Sequence, residues 1–398
     1  MNAFPTLPSV WRACLAAGLA VAAIAGCGGG VGTGGTGGNA TAYAAGPITG
    51  FGSVIVGGVR FDDSAAKVED GDGGHRLRED LRLGMTVEID SSAVSTDATG
   101  SSASASRIRF ESEMVGLVGL VDMADSSFTL LGQRVTVDAA TVFDDRLDAG
   151  GLAGLRRGQA LEVFAVYDTV GGRYRATRLE QSNLAGGLRL RGPVAQVDTR
   201  VQTLIVGSTT YSYAGASGIP ADLTAGQFVR LRLGLVTQPA AGWAIQSFGT
   251  ALLPLGDADG AKVEGLISSF TSVSAFAVSG RSVDASAVGG LAGLGLAAGV
   301  RVEVEGTLRG GVLRASKVSV VSDDQVRDRG FELIGAITDV KVQQATITLR
   351  GLTVSTAGSD LRYQDGTVAD LKVGANVEVK GVLAADRRTL EATRIRFR

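Results

Sequence analysis

The chain has 398 residues, 45% of them hydrophobic and 20% charged, with a formal charge of −2. That composition is globular. It excludes a wholly disordered chain and supplies no basic surface of the kind that holds nucleic acid. Fifty-eight glycines against seven prolines point to many tight turns.

Residues 1–26 read as a signal peptide and not as part of the fold. Arg12 is their only charged side chain, and the apolar run "CLAAGLAVAAIAG" ends in small residues, too short for a spanning helix. The following tetrapeptide "IAGC", Ile24–Cys27, resembles the lipobox of bacterial lipoproteins. The resemblance implies cleavage before Cys27 and acylation of its thiol and new amino group, so the membrane is a partner through an N-terminal lipid. Location in the bacterial cell envelope follows, and Gly28 in place of aspartate points to the outer membrane. Cys14 lies inside the signal, so no internal disulfide is expected. Residues 27–45 then form the lipidated cysteine and a flexible glycine-rich tether.

One motif is then written repeatedly. "Gly-x-h-x-x-h", with h apolar, starts at Gly46, Gly116, Gly192, Gly265 and Gly335, at spacings of 70, 76, 73 and 70 residues. The apolar pairs are Ile48/Phe51, Val118/Val121, Val194/Val197, Ile267/Phe270 and Ile337/Val340. Their spacing breaks alternation by one residue, which predicts a β-bulge or bend in the first strand of each copy. A hairpin pattern follows, as in Val54/Val56, Gly57-Gly58, Val59/Phe61, because paired glycines supply the positive φ of tight turns. A third column, Leu-x-x-Gly, begins at Leu81, Leu155, Leu223, Leu296 and Leu371. It predicts a buried leucine and a glycine with φ > 0 before the next strand. A closing strand begins near Ala105, Ala176, Ala244, Ala315 and Ala392.

The expected fold is all-β: a tandem array of five small OB-like five-stranded barrels, at residues 46–112, 113–182, 183–251, 261–322 and 331–398. The strand order β-β-β-connection-β-β suits such a barrel, and closure removes exposed edges. On these motifs the chain resembles the bacterial domain of unknown function 5666 (DUF5666) family, most clearly at residues 46–110 and 331–398. The family implies no activity. Short connections predict that neighbouring barrels touch, as in a jointed rod.

Candidate site residues are few. His75 lies near Asp70 and Asp72 in "EDGDGGHRLRED", but it has neither the companions of a metal site nor a positioned nucleophile. Asp62, Asp63, Glu69, Asp70 and Asp72 could hold Ca²⁺ weakly, although their spacing is not that of an EF-hand loop; solvated loop acids are the simpler reading. Closing strands carry Arg107 and Arg109, Arg175 and Arg178, and Arg394, Arg396 and Arg398. That stripe suits an anionic glycan or lipopolysaccharide, or simply the wet face of a half-buried strand. Trp243 is read as a packing residue, and the uncharged run 285–300 as a small-residue loop. The expectation is therefore no catalytic residue, metal or cofactor, and no nucleic-acid partner. The leading function is a lipid-anchored structural or adhesive scaffold with an envelope protein or polysaccharide partner; the alternative is a ligand- or glycan-binding module with one specialised repeat.

Overall fold

The computed structural model describes residues 41–98, 100–148, 150–234, 243–249 and 255–398. Residues 1–26, read above as a signal peptide, and Cys27 lie outside the described residues. The protein is all-β and is built from small closed five-stranded barrels. In the first, strand Thr41–Phe51 pairs with Val54–Val56, which pairs with Val59–Asp62. The third strand runs parallel to Gly100–Phe110, and Thr86–Ser92 closes the ring between that strand and the first. The order is 1-2-3-5-4-1, with the third and fifth strands parallel, as in an OB-fold. The same ring of pairings recurs in Met114–Gln181, Leu188–Gly249, Ala258–Val320 and Phe331–Phe397.

The recurring motifs act on one another. Motif glycines Gly84, Gly158, Gly226, Gly299 and Gly374 all have φ between +80° and +88°, which an L side chain adopts only at a cost. Each donates its N–H to the carbonyl of the first apolar residue of its copy: Ile48, Val118, Val194, Ile267 and Ile337, at 2.7–2.9 Å. That apolar residue in turn donates to the carbonyl just after the glycine. The two motifs are thus halves of one backbone clamp. Immediately beyond it the register slips, for example between Ile48 and Gly50 and between Ile337 and Asp339. The predicted bulge is present, and it turns the first strand from the clamp into the hairpin.

The leucine column is less uniform than expected. Leu81, Leu155 and Leu296 are buried, whereas Leu223 and Leu371 are half-buried at the margin of their cores.

The copies pack into one body spanning Asn39–Arg398. Second and third copies share one apolar core, and first and fifth share another. Two sequence expectations are corrected here. Residues 41–45 are sheet and not tether: Ala42, Tyr43 and Ala44 are buried. They pair antiparallel with residues 88–92 and parallel with Gly260–Val263 of the fourth copy, and Tyr43 joins the fourth copy's core. The jointed rod is also overturned. The first copy pairs with the fourth and, through Gly50 and Phe51, with Glu332 and Leu333 of the fifth, so copies far apart in sequence are neighbours. Strand edges left open after ring closure find partners in other copies, since unpaired backbone groups are costly to leave buried.

Candidate functional site

His75 is exposed and sits opposite Glu69 in a short ladder. The acids around it are held by other protein groups. Asp63 pairs with Arg78, and Asp70 accepts from the N–H groups of Asp72 and Gly74 and from Arg76. Asp72 reaches the third copy, where Arg230, Arg232 and Arg189 lie 3.0, 2.9 and 3.4 Å away. Partial burial pushes its carboxyl up, but the three guanidinium groups outweigh this and hold it below the ordinary carboxylate range. The acidic loop is a clasp between the first and third copies.

The arginine stripe is paired with acids, some across the sheet, one on the same strand and one on a helix. Arg107 lies 2.9 Å from Asp90, and Arg109 lies 3.4 Å from Glu88. Arg178 lies 2.5 Å from Glu180, Arg175 lies 2.6 Å from Asp323, Arg394 lies 2.9 Å from Glu378, and Arg396 lies 2.9 Å from Asp365; Arg398 also contacts Glu378. Where a barrel meets another barrel the same side chains are buried. Arg109 and Arg178 are 8% and 6% exposed, and Arg178 donates to the carbonyl of Leu83 in the first copy. The wet-face reading therefore fits the free faces and fails at the joints, where the charged face of one barrel meets another protein surface instead of water.

One such joint frames a half-open chamber of about 80 Å³. Its strands come from the first four copies. Tyr43 and Glu88 project from the first barrel's first and fourth strands, Glu111 and Glu113 from the link to the second barrel, Arg191 from the third and Arg281 from the fourth. Arg281 bonds Glu88 at 2.6 Å, Arg191 bonds Glu113 at 3.1 Å, and Arg230 bonds Glu111 at 2.6 Å. Glu113 also accepts from the Ala165 N–H at 2.9 Å. Burial pushes the Glu113 carboxyl up to about 7, with Glu111 adding to the rise against Arg191 and the Ala165 N–H. Burial raises Glu111 as well, whereas at Glu88 burial is outweighed by Arg281, Arg191 and Arg109. Tyr43 is raised well above its ordinary value by burial and the adjacent Glu88. Chemically the chamber is a set of mutually neutralised ion pairs with one carboxyl that exchanges its proton near neutrality.

Sequence reasoning missed this chamber. A signal was available: the fourth strands read "VEI", "LEV", "VEV" and "VEV" at Glu88, Glu162, Glu303 and Glu378, while the third copy reads "VRL" at Arg230. The charge-reversed copy is the one that docks on Asp72 and Glu111. Trp243 packs beside the core of the second and third copies as expected. The 285–300 run is a loop with a 3₁₀ turn at Leu291–Leu294.

The model described as "Domain of unknown function (DUF5666)" matches residues 118–180, 264–319 and 334–396, which are the second, fourth and fifth copies. The first copy, where the sequence resemblance is clear, lies outside the matched stretches, although its ring of pairings is the same. No curated protein matches. Among solved structures the chain is similar to drosophila Unr CSD456, at 14% identity and a TM-score of 0.16, covering 58% of this chain and 100% of that one.

Proposed function

We propose, from the premise that this chain belongs to the DUF5666 family, that it is a lipid-anchored envelope scaffold of five OB-like barrels, acting by contact and not by catalysis. The family carries no activity with it, and fold alone implies none. The observation that carries the reading is the use made of the charged side chains. At the joints Arg109, Arg178, Arg191, Arg230 and Arg281 are each held by acids or carbonyls of the protein. The interior is devoted to fixing the copies in place, which is what a scaffold needs and what a mobile catalytic cleft does not. Attachment rests on Cys27 and its resemblance to a lipobox cysteine.

Cys27→Ser tests the anchorage. The variant protein is expected in the soluble fraction or as unprocessed precursor, while the wild type sediments with membranes; stable anchoring takes more than one acyl chain, which only the cysteine can organise. A serine variant that is cleaved efficiently and still partitions with lipid would overturn the assignment.

A further inference from the structure

We propose that the groove between the third and fourth copies binds a neutral oligosaccharide. The groove has a volume of about 510 Å³, within the usual range of roughly 300–1,000 Å³ for small-ligand sites. Pro193, Gln227, Phe228 and Phe248 come from the third copy, and Ser269 and Ser282 from the fourth. No ionisable side chain lines it among the described residues. The charged cleft and chamber elsewhere in the body are lined by arginines and carboxylates. A charged ligand would lose water in this groove without gaining a counter-charge, and a purely apolar one would strip the hydroxyl and amide groups of theirs.

A neutral sugar matches both surfaces, with C–H faces for the rings and hydroxyls for the polar rim. The rings are already held in place: the Arg191 guanidinium lies 5.1 Å over Phe228, and Phe248 packs edge-on against Tyr213 at 6.3 Å. Gln227 accepts from the Thr224 N–H through its side-chain oxygen at 3.3 Å, which leaves its amide N–H groups as donors. Ser268 is spent on the hairpin, accepting from the Gly280 N–H and donating to the Ala277 carbonyl. Ser269 and Ser282 are exposed and carry the free hydroxyls. The site belongs to the joint of two copies and not to one specialised copy, and it stands independently of the scaffold reading.

The test is calorimetric titration of the compact body, residues 39–398, with cellobiose, maltose and N,N′-diacetylchitobiose, and with digalacturonate as the charged counterpart. At least one neutral disaccharide is expected to bind at about 1 mM or tighter, and digalacturonate at least tenfold more weakly. Ser282→Arg places a bulky charge at an exposed position, so it is expected to weaken binding at least tenfold with an unchanged Tm. Phe248→Ala should weaken binding by a similar factor while lowering the Tm, because the ring packs on Tyr213 and the core, and Ser282→Arg decides the matter should Phe248→Ala fail to fold. No binding of any neutral disaccharide, equal binding of digalacturonate, or binding retained in Ser282→Arg overturns the proposal.

Discussion

Gly84→Ala is expected to cost about 2–5 kcal/mol of stability, roughly twice the cost of the same change at Gly158, Gly226 or Gly374. All four glycines occupy the clamp with φ between +81° and +88°, so each substitution incurs left-handed strain of about 1–2 kcal/mol. At Gly158, Gly226 and Gly374 an added Cβ meets nothing within 4 Å, and the cost ends there. At Gly84 the Cβ would sit 2.4 Å from the Thr177 carbonyl oxygen and 3.0 Å from Val142, both in the second copy. Backbone cannot yield as a side-chain tip can, and overpacking a joint adds about 1–3 kcal/mol. Chemical denaturation of the four variants checks this. Equal losses at all four positions would mean that the first and second copies are not pressed together at Gly84.

The second large effect is a pH dependence. The folded state holds the Glu113 proton up to about pH 7, against an ordinary value of 4.5. An acid whose pKa is raised by folding contributes no penalty below the unfolded value. Between 4.5 and 7 the unfolded chain releases the proton while the folded one keeps it, so stability falls as pH rises. Above 7 the loss levels off at roughly 3 kcal/mol. Asp72 and Glu88, both lowered, act in the opposite sense at acid pH, where their stabilisation is lost as pH falls through their folded values. Glu113→Gln isolates the first contribution, because the amide resembles the protonated acid. Relative to wild type, the variant should gain roughly 1–3 kcal/mol between pH 5 and pH 8. A difference that stays constant over that range, or changes in the opposite sense, would contradict the burial of Glu113 at the joint.

What could be read from the sequence, and what could not, divides along a physical line. Local geometry was legible. The broken spacing at Ile48/Phe51 predicted the bulge, and the glycine of each Leu-x-x-Gly predicted positive φ, because both follow from the chemistry of neighbouring residues. The joints were not legible. Alternation along Arg107-Ile108-Arg109 separates the inside of a barrel from its outside, but it does not distinguish water from the outside of another barrel. Arg109 and Arg107 therefore look equivalent in sequence, although one is buried and the other exposed. Tyr43 was misassigned for a related reason: one of its strand's two partners lies more than two hundred residues away, at Gly260–Val263, and the strand carries no local mark of that pairing. Asp72 looked like a solvated loop acid because the arginines that hold it belong to the third copy.

That the copies form one interlocked body is tested most directly by small-angle X-ray scattering from residues 39–398. A single compact body of this length has a radius of gyration of about 21 Å, whereas the same copies strung end to end would give roughly 40 Å. The packing of the first copy against the fourth and fifth predicts a value near the lower figure and a single-peaked distance distribution. A value near the upper figure, with the long tail of an extended particle, would contradict it.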